Sequence, residues 1–316
     1  MEKQGFRKNL INIEPYVAGE QPKSDNIIKL NANENAYPPS PMVQKAVSVF
    51  DTGVLRKYPD FSGEPLKSKL AEYYGLKPAQ VFVGNGSDDV LAAAFRAFFN
   101  GSEPILYPDV TYSFYPVWCD IMKIPFKTIP LKDDFTIDVD EYNIKNGGII
   151  FPNPNAPTSI ALEKSEIIRL LDNNRDVVVV LDETYIDFGG ESCIDLLEKY
   201  DNLVITRTFS KSRSLAGMRL GFAMASEELI SYMNAVKDSY NSYPVDAVAI
   251  AAGCAAVDDD KYFKDTISKL IATRERLIRE LEAIGFEIAP SSANFLFARH
   301  DKFSAKEIFS FLRALM

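Results

Sequence analysis

Six short runs rich in branched and aromatic residues recur along the middle of the chain: VFV from residue 81, ILY from 105, GIIF from 148, VVVVL from 177, LVIT from 203 and LGFAMA from 220. Helical patterns separate them. Runs without polar alternation suit strands buried on both faces, and an intervening helix is the crossover that parallel pairing requires. The spacing therefore predicts an α/β fold with a mainly parallel sheet. With 316 residues, the chain is too long for one small core and suits a large lobe with a smaller one.

The flanks supply the boundaries. Ser40-Pro41 before Val43, Ala46, Val47 and Phe50 combines a cap, a first-turn proline and helical spacing. Leu66, Leu70, Tyr73 and Tyr74 closed by Gly75 predict a second helix. Beyond about residue 230 a long amphipathic helix runs from Phe263 to Leu281, followed by the strand-like runs FEIA and NFLFA. The division is a large domain over 39–235 and a smaller α+β domain built from 1–38 and 236–316.

A net charge of -9 disfavours nucleic acid or an anionic membrane as partner, since both need a clustered positive field. No apolar run reaches the roughly 18 residues of a membrane span. The opening MEKQGFRKNLINIEPY lacks the apolar core of a secretory signal, so a cytoplasmic soluble protein is expected. Cys119, Cys193 and Cys254 are widely separated and unpaired with histidine, and read as core thiols rather than a disulfide framework or zinc site. His300 is the single histidine, which removes most metal and Ser-His-Asp mechanisms. No metal is expected.

In open α/β sheets ligands bind beyond the carboxyl ends of the strands, so the polar residues where apolar runs stop are the candidates. VFV ends in Gly84-Asn85-Gly86-Ser87-Asp88-Asp89, either a phosphate cradle at a helix start or a plain turn capped by Ser87. GIIF ends in the proline-stiffened loop Pro152 to Ser159, which can present an asparagine amide at a set angle. VVVVL ends in Asp182, followed by Tyr185; an acid there needs a partner or serves as a helix cap. LVIT ends in Arg207-Thr208-Phe209-Ser210-Lys211, and Arg219 precedes the next run. A lone loop lysine is ordinarily solvated. An asparagine, an acid, a tyrosine, a lysine and an arginine on one rim instead suit a planar, phosphorylated pyridine cofactor, with lysine forming a Schiff base and an acid protonating the ring nitrogen.

The segments LNANENAYPPS at 30, RKYPD at 56, VGNGSDD at 83, YPDVTYSFY at 107, FPNPNAPTS at 151, VVLDETYIDF at 179 and RTFSKSRSLAGMRLGF at 207 carry a resemblance. The chain resembles the fold-type I aminotransferases that use pyridoxal 5'-phosphate (PLP), and within them it is most similar to the histidinol-phosphate aminotransferase family. The resemblance implies that Lys211 forms the imine and carries protons, and that Asp182 pairs with the ring nitrogen. Tyr185 and Asn155 would bond the ring's 3-oxygen, and Tyr112 would stack on its face. Ser210, Arg219 and the backbone around Ser87 and Asp88 would hold the phosphate. Tyr58 would reach the neighbouring subunit's cofactor in a homodimer, and Tyr16 and Asn33 would meet the substrate. The implied partners are a small amino donor and a 2-oxo acid.

Two departures stand against the family pattern. Its loop has two adjacent asparagines and Thr-Gly, where this chain has Asn155, Ala156 and Ser159. Family members also continue past the last helix with strands whose arginines clamp the substrate's anionic groups, whereas this chain stops at Met316. A small lobe incomplete at its C-terminal end, poor turnover of histidinol phosphate and uncovered Phe309 and Leu312 are the expectations. Threonine-phosphate decarboxylase and aromatic aminotransferase activities remain alternatives within the same cofactor chemistry; a silent α/β binding protein is the alternative outside it.

Overall fold

The computed structural model describes residues 10, 11, 13–17, 19, 20 and 28–315. Much of the opening segment therefore lies outside the described residues. Strands β1 (Val81–Gly84), β2 (Ile105–Pro108), β3 (Phe126–Ile129), β4 (Ile149–Pro152), β5 (Val179–Asp182), β6 (Leu203–Thr208) and β7 (Gly221–Ala225) form one seven-stranded sheet in the order β1-β7-β6-β5-β4-β2-β3. Only β7 runs antiparallel to its neighbours. All other strands consequently point their carboxyl ends to one edge.

Alternation along the strands divides the core. Val179, Leu181, Leu203 and Ile205 join one apolar layer, and Val180 and Val204 join the layer on the opposite face. Helices α3 (Ser87–Phe98), α4 (Phe114–Met122) and α6 (Glu227–Tyr240) contribute to the second layer, and α5 (Lys164–Asn173) to the first.

Both expected early helices are present. In α1 (Pro41–Ser48) the Ser40 hydroxyl accepts from the Val43 N–H, and α2 (Leu66–Tyr74) ends on Gly75 at φ 70°. Helix α7 (Ala247–Asp258) packs on α1 and α2, and Ala249, Ile250 and Ala252 enter the first core layer. The expected boundary at 235/236 instead assigned these residues to the second lobe and falls inside α6. The long helix α8 (Asp260–Glu282) leads to the antiparallel pair β8 (Phe286–Ile288) and β9 (Ala298–His300), then to α9 (Ala305–Ala314). Phe309 and Leu312 on α9 are 61% and 54% exposed.

The run NFLFA is not the strand its composition suggests. β9 begins only at Ala298; before it Asn294 donates to the Asn33 carbonyl, and Phe295 packs edge-on against Tyr185. These contacts draw the segment onto the large lobe. A small cluster of Tyr185, Phe188, Ile267 and Ala293 closes the seam between the lobes, and Arg274 donates to the carbonyls of Phe188 and Ala293. Among the described residues no helix is long and apolar enough to cross a membrane, and no cluster of metal-ligating side chains occurs. Cys119 and Cys193 are buried and Cys254 is half-buried.

Candidate active site

Strand register brings the scattered polar residues to one rim. Asp182, the last residue of β5, pairs in register with Pro152 on β4 and Thr206 on β6. At the other side Thr208 on β6 and Gly84 on β1 both flank Gly221, where β7 begins. The turns leaving these strands enclose a cleft of about 810 Å³, with Lys211, Asp182, Tyr185, Tyr112, Ser87, Asp88, Ser210 and Arg219 in its wall. Tyr16 and Asn33 line the same cleft.

Lys211 and Asp182 are held with their charges poorly solvated. The Asp182 carboxylate accepts from the hydroxyls of Thr184 and Thr206 at 2.7 and 3.1 Å and from the Thr184 N–H at 3.2 Å. Burial still dominates, pushing its pKa from 3.8 up to about 6. A cation facing the carboxylate would reverse that penalty. Burial, aided by Arg219, also lowers the Lys211 pKa. Its ammonium donates to the Ala32 carbonyl at 2.7 Å, and Asn35 donates to the Lys211 carbonyl at 3.0 Å. A lysine with a depressed pKa in a cleft that also holds a buried acid is equipped for nucleophilic attack on a carbonyl.

Tyr185 is buried, and burial pushes its hydroxyl up to about 12, so it stays protonated near neutrality. Because it accepts from the Asn33 amide at 3.2 Å, its own proton is free to be given to a ligand. At the opposite end, α3 starts at Ser87 without a side-chain cap on its first N–H groups. Such a helix start favours an anion. Gly86 has φ +85°, and a Cβ there would come within 2.6 Å of the Arg219 guanidinium. Arg219 lies 3.1 Å from one Asp88 oxygen, while Tyr112 donates to the other at 2.9 Å. One end of the cleft thus offers an arginine, free N–H groups and a hydroxyl at Ser210. The same cleft also holds the buried acid and the amine. This donor set fits PLP, whose phosphate, aldehyde and ring nitrogen need those three chemistries.

Two candidates stand elsewhere. Asn155 is 2% exposed. Its amide accepts from the Thr111 hydroxyl and donates to the Val110 carbonyl and the Thr158 hydroxyl, while its neighbours Ala156 and Pro157 face the cleft. These bonds brace the loop, and Asn155 is not among the residues lining the cleft. Tyr58 is exposed on this chain and stacks on Tyr243 with ring centroids 4.7 Å apart, away from the cleft wall. The sequence reading overlooked Thr184 and Thr206 under Asp182, the Ala32 carbonyl on Lys211, and the wall formed by Phe295, Leu296 and Phe297. Threonines beside a buried strand-end acid are the one signal available; the others depend on tertiary approach.

A mostly parallel sheet with such a rim defines a PLP-dependent transferase of fold type I. The chain belongs to the aminotransferase class I and II family, whose model matches residues 25–314, and it is a PLP-dependent aminotransferase. Among its relatives is the histidinol-phosphate aminotransferase 1 of Hydrogenovibrio crunogenus, 54% identical over 95% of this chain and 84% of that protein. The histidinol-phosphate aminotransferase of Lactococcus lactis subsp. cremoris is 50% identical over 97% of this chain and 86% of its own length. The crystal structure of histidinol-phosphate aminotransferase from Sinorhizobium meliloti in complex with pyridoxal-5'-phosphate has a TM-score of 0.78 at 25% identity, covering 86% of this chain and 75% of that one.

Proposed function

We propose that this chain transfers the amino group of histidinol phosphate to 2-oxoglutarate, giving imidazole acetol phosphate and glutamate in histidine synthesis. The observation that carries the reading is the 50–54% identity, over nearly the whole chain, to relatives named for that activity. When bound, PLP supplies an electron sink that makes the amino donor's Cα–H acidic.

The protein's own residues do the rest. Lys211 would hold the cofactor covalently through Nζ and, once freed by the donor, would take the Cα proton and deliver it to the cofactor's 4' carbon; one mobile amine serves both half-reactions. Asp182 would hold a proton on the ring nitrogen, in a charge-assisted and shielded pair. Tyr185 donates to the ring's 3-oxygen, with Asn33 orienting its hydroxyl. Tyr112 covers the ring face. Ser210, Arg219 and the first N–H groups of α3 fix the phosphate. Tyr16, stacked on Phe114 with centroids 4.2 Å apart, and Asn33 line the same cleft and would meet the donor. Exposed Tyr58 reaches the cofactor of a second copy, making the working unit a homodimer, and the protein acts in the cytoplasm.

The test is borohydride reduction of the PLP-loaded protein followed by peptide mapping, beside transamination assays with histidinol phosphate, phenylalanine and threonine phosphate. The expected result is an adduct on Lys211, lost in Lys211→Ala, and turnover fastest with histidinol phosphate. An adduct on another lysine, or preference for one of the other donors, overturns the assignment.

A further inference from the structure

Asp182 and Lys211 come from different strands and must keep a fixed separation if one cofactor is to touch both. Strand pairing fixes Asp182 against Thr206, but Lys211 stands beyond the last ladder residue of β6, Thr208. A second connection runs beneath the cleft, on the other face of the sheet. Glu183 and Arg207 follow Leu181 and Ile205 in the alternation, so their side chains enter the opposite layer from Asp182 and Thr206.

There Arg207 donates through Nε and Nη2 to one Glu183 oxygen at 3.1 and 2.7 Å, and through Nη1 to Asp187 Oδ1 at 3.1 Å. The other Asp187 oxygen accepts from the Ser212 hydroxyl at 2.6 Å. The second Glu183 oxygen accepts from the Cys193 N–H at 2.7 Å. Glu183 and Arg207 are 1% and 6% exposed. None of the four residues Glu183, Arg207, Asp187 and Ser212 lines the cleft. An unbroken chain of hydrogen bonds thus joins the residue after Asp182 to the residue after Lys211.

We infer that Arg207 and Asp187 are positioning residues, which set where the Lys211 amine stands relative to the Asp182 carboxylate through the chain Glu183–Arg207–Asp187–Ser212. The inference rests on the proposed roles of Lys211 and Asp182. A buried guanidinium that donates twice to one carboxylate oxygen and once to a second carboxylate has a fixed geometry, so it can transmit position where a solvated lysine could not. The Lys211 carbonyl itself accepts from the Asn35 amide at 3.0 Å and from the Ser214 N–H at 3.4 Å, and the Ser212 side chain adds an anchor on the opposite face of the sheet.

Ser212→Ala cuts the last link and leaves the Glu183–Arg207 pair whole. The PLP-loaded variant should show kcat about tenfold lower with KM for the donor within about twofold, as expected for misplacement of a reacting group. Visible circular dichroism of the bound cofactor, per unit of absorbance, should change about twofold, because it reports cofactor orientation. The thermal midpoint should move by only a few degrees. Asp187→Asn should change kcat and dichroism in the same sense, and Ser212→Thr, which restores the hydroxyl, should recover both. Wild-type kcat and dichroism in Ser212→Ala, or a loss of thermal stability without the kcat-against-KM split, overturns the inference and leaves the reading of Lys211 standing. A wild-type protein that takes up no PLP on Lys211 overturns both.

Discussion

The Lys211 side chain gives its hydrogen bond to the carbonyl oxygen of Ala32, 179 positions earlier in the chain, at 2.7 Å. The segment around Ala32 therefore lines the cleft and solvates the amine proposed to react. It is tied down on both sides, by Asn35 on the Lys211 carbonyl and by Asn294 on the carbonyl of Asn33. A carbonyl acceptor stabilises the protonated amine, yet burial outweighs it and lowers the pKa from 10.5.

Cofactor capture by the PLP-free protein should follow that lowered pKa, since only the neutral amine attacks an aldehyde. The rate of uptake, measured by borohydride trapping at successive pH values, should rise and then level off below pH 10.5, the ordinary lysine value. A rate still climbing through pH 10.5 would show that burial does not tune this amine.

Asp182 makes the opposite demand on pH. Its folded-state pKa of about 6 lies above the ordinary 3.8, so the folded PLP-free protein binds more protons than the unfolded chain between those values. Stability contributed by the protonated acid is present below about pH 4 and is lost as pH rises through 6. The rise corresponds to roughly 3 kcal/mol at most. Asp182→Asn should remove this slope and stabilise the PLP-free protein at pH 7, while weakening retention of PLP and slowing turnover by orders of magnitude. Denaturant titrations at pH 4 and 7 check it; an equal pH slope in both proteins would place the titrating group elsewhere.

The parts of this fold that can be read from sequence are those where both faces of an element are buried. Val179, Val180 and Leu181 are apolar whichever way they point, and the acid that ends them is conspicuous. β3 is different: Phe126, Lys127 and Thr128 are exposed at the sheet edge, so composition carries no signal of a strand. α7 is apolar all round, AVAIAAGCAAVD, and shows no helical period to reveal which lobe it joins. The site follows the same division. Lys211, Asp182 and Arg219 are visible as polar residues where apolar runs stop. The inward turn of Asn155 depends on the backbone of a proline-rich loop, and the pairing of Arg207 with Glu183 on the chemistry of neighbouring strands; neither leaves a local pattern.

Ser159 shows how that loop is stabilised. It occupies φ +63°, a left-handed conformation that costs a side chain about 1 kcal/mol or more, and its hydroxyl donates to the Thr158 carbonyl at 2.5 Å. Ser159→Ala keeps the conformational cost and loses the hydrogen bond, so it should destabilise by about 1–2 kcal/mol. Ser159→Gly loses the bond but removes the cost, and should be about 1 kcal/mol more stable than the alanine variant. Thermal unfolding of the two variants checks the ranking, and an alanine variant as stable as the glycine one would contradict it.

Gly86 is the position where phosphate binding depends most directly on the absence of a side chain. Its φ of +85° disfavours any other residue, and a Cβ would meet Arg219 Nη2 at 2.6 Å and Cζ at 3.0 Å. Gly86→Ala must therefore push the guanidinium away from the start of α3, separating the two groups proposed to share the phosphate. The affinity for PLP should fall by tenfold or more, as for loss of a charge-assisted contact worth about 2 kcal/mol. Pyridoxal, which has the same ring and aldehyde but no phosphate, should bind the variant and the wild type within about threefold of each other, because Lys211 and Asp182 are untouched. Equilibrium titration of both compounds, followed by visible absorbance, separates the two effects. Equal losses for PLP and pyridoxal would mean that the substitution disrupts the rim as a whole and that Gly86 has no special part in seating the phosphate.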